Sequence, residues 1–207
     1  MRSLRPPDIR LGSGQLAVLT GHEGGIRSLS FSSDGRFLAS GSGDSTIRVW
    51  ELESGREVAR LSGHAGNVES VSFCPSNRYL ASGSLDGSIR IWGTQTWECE
   101  RVLEGDHGSI TCVAWRPKGD AILSSAADGT VQCWSSITWL PEFVMEGHEG
   151  WVWCVAVSPC GKWAVSGGDD KVIRVWDLTS TGTLIGELRW LHGLDSVNCD
   201  LGQRIDR

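Results

Sequence analysis

Four glycines, Gly21, Gly63, Gly105 and Gly147, stand 42 residues apart, and Trp50, Trp92, Trp134 and Trp176 each follow one of them at a distance of 29. No insertion breaks this period over the four units. A chain that repeats so strictly folds as equal supersecondary units, each too small to bury its apolar face alone and each stacked on the next.

Inside the first unit, Ile26 to Phe31 precedes the turn Ser33-Asp34-Gly35, then Arg36-Phe37-Leu38-Ala39-Ser40, a second turn, and Thr46-Ile47-Arg48-Val49-Trp50. A fourth run closes each unit: Glu57 to Leu61, Cys99 to Leu103, Phe143 to Met145, and Thr183 to Glu187. Short, β-branched, partly alternating runs bounded by Gly, Asp, Asn and Ser are strands joined by turns. No segment sustains a 3.6-residue apolar period, so the pattern predicts an all-β fold with four antiparallel strands per unit.

Gly21-His22, Gly63-His64 and Gly147-His148, each followed by an Asp-containing turn and a Trp, with Trp176-Asp177 complete, resemble the WD-repeat family. The resemblance implies a β-propeller of four four-stranded blades over residues 15–188, with repeats at about 21–62, 63–104, 105–146 and 147–188. Residues 1–14 read as a basic extension, and residues 189–207 as an irregular tail or degenerate repeat start, with His192-Gly193 and Val197-Asn198-Cys199 in it and Arg189 where the next Gly is due. Gln15 to Leu19 reads as the outer strand of a preceding blade. Propellers of this family close with about seven or eight blades. Four therefore imply an incomplete or open ring, completed by a second chain in a homodimer, completed by a partner, or shortened from a longer gene product; shortening is the favoured expectation.

The family pattern also implies a hydrogen-bonded tetrad in each blade. The matching sets are His22, Ser40, Asp44 and Trp50; His64, Ser82, Asp86 and Trp92; and His148, Ser166, Asp170 and Trp176. In the third unit Asp106 takes the His position beside Ser124, Asp128 and Trp134, and His107 falls one residue late. Either Asp106 and Asp128 resist sharing a buried site as two anions, or the loop shifts so that His107 fills the gap. This blade is expected to be the least stable.

Each set contains Ser, His and Asp, the residue types of a hydrolase triad. A nucleophile needs one exposed, strained site with an oxyanion hole, whereas this set recurs three times with each Ser inside a strand and without a Gly-x-Ser-x-Gly elbow. The reading is that the chain is not an enzyme. Without Cys-x-x-Cys or His-Glu-x-x-His spacing no metal is expected, and without a phosphate-cradling loop opening a helix no nucleotide cofactor is expected.

Lys and Arg total 19 against 25 Asp and Glu, a net charge of −6, so nucleic acid and anionic membranes are poor partners and proteins or peptides with a basic residue are better ones. No apolar run approaches the ~18 residues of a membrane span, and no signal-peptide core precedes the repeats. The seven cysteines, odd in number and mostly set in apolar runs such as Thr111-Cys112-Val113-Ala114-Trp115, read as reduced, buried thiols in the cytoplasm or nucleus.

In family members that take peptides, three positions per repeat face the channel mouth. Here the first reads Arg27, Glu69, Thr111 and Trp153; the second Gly25, Asn67, Ser109 and Trp151; the third Gly43, Leu85, Ala127 and Asp169. The candidate partner-binding residues are Arg27, Glu69, Leu85, Trp151, Trp153 and Asp169. Strand alternation puts Trp151 and Trp153 on one side, away from Val152, and two indoles beside Asp169 suit an Arg or Lys side chain. The competing reading is that the indoles pack between blades. Trp97, Trp139 and Trp163 read as covers of sheet faces, like Phe37 and Tyr79. These features describe a non-enzymatic scaffold for protein or peptide interactions within a multiprotein complex. The alternative is the regulatory or sensing part of a larger signalling protein or a ubiquitin-ligase substrate receptor, although Trp176-Asp177-Leu178-Thr179 lacks the Arg of that adaptor-binding box.

Overall fold

The computed structural model describes residues 18–105 and 108–189, which form sixteen strands and no helix. The residues divide between Val102 and Leu103 into two compact units. The first sheet contains β1 (Ile26–Phe31), β2 (Phe37–Ser42), β3 (Ile47–Glu51) and β4 (Arg56–Leu61). The second contains β5 (Val68–Phe73), β6 (Tyr79–Ser84), β7 (Ser88–Gly93) and β8 (Cys99–Glu104). In the second unit, β9 (Ile110–Trp115), β10 (Ala121–Ala126), β11 (Val131–Ser135) and β12 (Pro141–Met145) form the third sheet. The fourth holds β13 (Val152–Val157), β14 (Trp163–Gly168), β15 (Val172–Asp177) and β16 (Thr183–Arg189). Each sheet is a simple antiparallel meander in chain order, the blade expected from the repeat.

Local chemistry sets the turns. In the β1–β2 turn the Ser32 hydroxyl donates to Asp34 Oδ1 at 2.6 Å and accepts from the Phe37 N–H at 2.9 Å. Between β2 and β3, and at the same place in every blade, the residue after the turn Asp has a left-handed backbone: Ser45, Gly87, Gly129 and Lys171, with φ of 65, 86, 91 and 62°. At Gly129 the requirement is steric as well, because a Cβ would lie 2.6 Å from the His148 carbonyl oxygen.

The register slips at one recurring place. On β1, Ile26 pairs with Ser42 and Ser28 with Gly41, so Arg27 is the extra residue of a β-bulge. The same slip leaves Glu69, Thr111 and Trp153 as the extra residues on β5, β9 and β13. A bulge re-aims the side chain it carries and bends the strand. All four first-position candidates are therefore bulge residues, which plain strand alternation did not anticipate.

The core of each unit lies between its two sheets. In the first, Ala39, Ile47, Val49 and Leu61 pack with Val68, Val71, Phe73, Leu80 and Trp92. The Ser28 and Ser30 hydroxyl oxygens accept the Val71 and Phe73 N–H groups at 3.1 and 3.0 Å, tying β1 to β5 through side chains. In the second, Leu123, Val131, Cys133 and Met145 pack with Val152, Val155, Ala164 and Trp176. Fully burying an aliphatic side chain of this size contributes about 1.5–3 kcal/mol.

Two turns place tryptophan in the left-handed region, Trp97 at φ 58° and Trp139 at φ 59°. Trp97 meets Phe37 and Phe73 edge to face at 5.6 and 6.4 Å, and Trp139 meets Trp115 at 6.5 Å. Both act as covers, as expected. Trp163 does not: it is exposed among the described residues.

The cysteines require a correction. All six described are free thiols, but only Cys74 and Cys133 are buried; Cys112 is half-buried and Cys99, Cys154 and Cys160 are exposed. Cys99 sits on an outermost strand and Cys154 on a sheet face left exposed by the described residues, so apolar neighbours in sequence did not translate into burial. Burial, followed by the charge of Glu142, pushes the Cys133 thiol up to about 12.

Ile47 is fully buried, whereas Ile137 is 83% exposed. Ile47→Ala is expected to cost about 2–5 kcal/mol in urea unfolding, and Ile137→Ala no more than about 0.5 kcal/mol. Equal losses at the two positions would contradict the assigned core.

Candidate functional site

The polar sets form as hydrogen-bonded chains. In the first blade His22 Nδ1 lies 2.9 Å from Asp44 Oδ2, His22 Nε2 lies 2.8 Å from Ser40 Oγ, and Trp50 Nε1 donates to Ser40 Oγ at 3.1 Å. The second blade repeats this with His64, Asp86, Ser82 and Trp92 at 2.9, 2.8 and 2.9 Å. The fourth does so with His148, Asp170, Ser166 and Trp176 at 2.9, 2.7 and 2.8 Å.

The carboxylates are ionised. Burial alone would push Asp44 up, but donation from the Thr46 hydroxyl, the Glu23 N–H, the His22 ring and the Thr46 N–H outweighs it and holds Asp44 well below the usual carboxylate range. At Asp86 burial is likewise outweighed, by the Ser88 hydroxyl, the Ser88 and Ala65 N–H groups and His64. At Asp170 the Arg174 guanidinium leads the opposing donors. An ionised acceptor requires an N–H at imidazole Nδ1, which leaves Nε2 to accept the serine proton. Each serine thus receives an indole N–H and donates to an imidazole. For His64, burial lowers the pKa and outweighs the Asp86 hydrogen bond and charge that raise it.

The partner-binding candidates fall in both units. In the first, Arg27 is half-exposed with its Nε 3.7 Å from Glu69 Oε1, and the Leu85 N–H donates to the Asn67 carbonyl at 3.0 Å. Leu85 is half-buried beside that bond. In the second, the Trp151 and Trp153 ring centroids lie 4.9 Å apart at 35°, and Trp153 Nε1 donates to Asp169 Oδ1 at 2.6 Å. Trp153 remains 50% exposed, and Asp169 is exposed. Thr111, at the same position in the third blade, is buried. Among the described residues no three His, Cys, Asp or Glu side chains gather as a metal set does.

The family model "WD domain, G-beta repeat" matches residues 13–51, 55–93, 97–135 and 139–177, most of the chain. The chain belongs to the WD-repeat family. Among curated proteins it is similar to the "Ribosome biogenesis protein ERB1" of Saccharomyces cerevisiae, 46% identical over 59 residues, 28% of this chain and 7% of that protein. It is similar also to the "Periodic tryptophan protein 2 homolog" of Schizosaccharomyces pombe, 56% identical over 43 residues, 20% of this chain and 5% of that protein. A third relative is the "Ribosome biogenesis protein BOP1 homolog" of Oryza sativa, 58% identical over 36 residues, 17% of this chain and 5% of that protein. The matched stretch thus spans only a small part of each relative.

The third WD repeat departs from the others. Trp134 Nε1 donates to Ser124 Oγ at 2.8 Å, and Asp128 Oδ1 accepts the Thr130 N–H at 2.9 Å. Asp106 and His107, the alternatives for the imidazole position, lie outside the described residues. A second change accompanies this one. The other three WD repeats carry an arginine two residues before the Trp, Arg48, Arg90 and Arg174, where the third has Gln132. Gln132 Oε1 is buried without a hydrogen-bond partner among the described residues.

These arginines are the part of the site that sequence reasoning missed. Arg48 Nη2 donates to the Gly21 carbonyl at 2.6 Å, and a Cβ on Gly21 would fall 2.5 Å from Arg48 Nη1. The repeated glycine therefore makes room for a guanidinium. Arg48 also pairs with Glu57, and Arg174 pairs with Asp170 and, at 3.0 Å, with Glu187. The signal was present as Arg-x-Trp at the repeat period.

Ser82→Ala would leave the Trp92 indole and His64 imidazole without their common partner and is expected to cost about 1–3 kcal/mol. Acid sensitivity follows from the depressed pKa values. The His64 contribution is complete above its unfolded pKa of about 6.5 and is lost as pH falls below it. The contributions of Asp44, Asp86 and Asp170 are complete above about pH 4 and are lost as pH falls further. The melting temperature measured by calorimetry should be level above pH 7 and fall in two stages on acidification. A melting temperature that rises from pH 7 to pH 5 would contradict the assignment.

Proposed function

We propose that this WD-repeat chain is a non-enzymatic scaffold that holds protein or peptide partners, carrying a basic residue, within a multiprotein assembly of the cytoplasm or nucleus. The observation that carries the reading is the Trp151–Trp153 pair with Asp169. Two indoles stacked at 4.9 Å, one half-exposed and held by a carboxylate at its N–H, offer an aromatic face and a negative charge together. A guanidinium or ammonium laid over such a ring gains about 0.5–2 kcal/mol. The net charge of −6 supports a basic protein partner over direct contact with nucleic acid. The names of two relatives, "Ribosome biogenesis protein ERB1" and "Ribosome biogenesis protein BOP1 homolog", support ribosome biogenesis as the setting.

The tetrads support the non-catalytic reading. Each serine hydroxyl is committed to an imidazole and an indole inside a buried strand, as a cross-brace requires and a nucleophile does not.

Binding of a fluorescent arginine-containing peptide, followed by anisotropy, tests the patch. Trp153→Ala is expected to weaken binding about tenfold, close to 1.4 kcal/mol, with little change in melting temperature, and Asp169→Asn should weaken it less. A Trp153→Ala chain that no longer folds, or one that binds the peptide unchanged, overturns the assignment.

A further inference from the structure

One arginine of the repeat lacks the carboxylate that its equivalents hold. In the first blade Arg48 lies under Gly21 and pairs with Glu57 on β4. In the fourth, Arg174 pairs with Asp170 and Glu187. Arg90 of the second blade sits in the same place, since a Cβ on Gly63 would fall 2.9 Å from its Nη1. The residue 42 positions after Glu57 is Cys99, and Arg90 Nη1 donates to Cys99 Sγ at 3.8 Å. Among the described residues no carboxylate pairs with Arg90. Its Nε, like that of Arg48, is buried without a hydrogen-bond partner, but Arg48 has Glu57 to balance its charge and Arg90 has a thiol.

The third blade shows that cation and anion belong together. There Gln132 takes the place of the arginine, and Pro141 stands at the position of Glu57. Both charges are lost in that blade and both are kept in the first. The second blade keeps the cation and sets a sulfur where the carboxylate stood. A partly buried guanidinium without a counter-charge is costly, and a thiol sulfur is a weak acceptor. Cys99 is exposed, so small reagents reach its sulfur while the guanidinium is already held beside it.

We propose that Cys99 is an oxidation site whose sulfinate form gives Arg90 the anion that Glu57 gives Arg48. The oxidant is hydrogen peroxide. In the first step the sulfur lone pair attacks one peroxide oxygen and the O–O bond breaks. The departing hydroxide takes up the thiol proton as water, leaving a sulfenic acid. A second peroxide reacts in the same way and yields a sulfinic acid and a second water. Each step withdraws two electrons from sulfur and reduces one peroxide. The sulfinic acid releases its proton to solvent, and its two oxygens accept from the guanidinium as a carboxylate does.

The surroundings of a second exposed thiol mark the difference. Cys154 Sγ lies 3.8 Å from the Gly167 carbonyl, so an anion formed there meets an acceptor and no guanidinium. Cys99 Sγ also donates to the Arg101 carbonyl, at 3.3 Å, and gives up that bond on oxidation in exchange for a charge-assisted one. Arg90 is on β7 and Cys99 opens β8, the outermost strand of its sheet. The new ion pair therefore fastens an edge strand to its neighbour.

Peptide mass mapping and calorimetry of the folded full chain, before and after hydrogen peroxide, test this. Cys99 is expected to gain two oxygen atoms ahead of Cys154. The treated wild type should unfold about 2–4 °C above Cys99→Ser treated alongside, which carries the same oxidation at every other position. Untreated Cys99→Glu should unfold higher than the untreated wild type by a similar shift, and Arg90→Gln should abolish both gains. A Cys99 that stays reduced while Cys154 is oxidised overturns the modification. A treated wild type that unfolds with or below treated Cys99→Ser, or a Cys99→Glu chain that unfolds no higher than the wild type, overturns the anion site. The Cys99 variants decide the matter even where Arg90→Gln does not fold.

Discussion

One buried serine hydroxyl on the second strand of a blade connects the third strand, through the Trp indole, to the loop before the first strand, through the His imidazole. A hydroxyl has one proton to give and two lone pairs with which to accept, and this geometry uses the proton on Nε2 and a lone pair on the indole. The ionised Asp beyond the imidazole fixes which nitrogen bears the ring proton, so the direction of every bond is set. Three segments far apart in sequence are thereby locked into one register.

The all-β class, the four-strand unit and the tetrad pairs were legible because an exact period repeats every physical requirement several times. His22, Ser40, Asp44 and Trp50 recur with unchanged spacing, and a recurrence at buried polar positions signals bonding partners. What was not legible depended on relations that no single repeat displays. The bulge at Arg27, Glu69, Thr111 and Trp153 is a register slip between strands, invisible in the residues of either strand. The exposure of Cys154 depends on whether a following blade covers it, whereas its apolar neighbours only report the strand. The Arg48 and Arg174 contacts were written in the sequence but concealed by strands in which an arginine ordinarily faces solvent.

The third repeat shows that the polar components of a blade change together. Where the Gly-His pair becomes Gly105-Asp106, the arginine that elsewhere packs on that glycine becomes Gln132. Arg48 and Arg174 pair with the carboxylates of Glu57 and Asp170, and Arg90 Nη1 donates to Cys99 Sγ. The indole-to-serine bond survives both changes at 2.8 Å. The hydroxyl and indole are therefore the least dispensable half of the set, and the loop half tolerates variation.

Trp97 occupies a backbone region that disfavours any side chain, by about 1–2 kcal/mol, at the position that the first repeat gives to Gly55. Its ring is repaid by packing against the core of the first unit, including edge-to-face contacts with Phe37 and Phe73, one of which belongs to each sheet. The outer hairpin of the second blade is thus conditional on the first blade being in place. Melting of this unit should be shared rather than sequential: loss of the first sheet removes the compensation for a strained turn in the second, so the pair behaves as one cooperative element although each sheet is closed in its own hydrogen bonds.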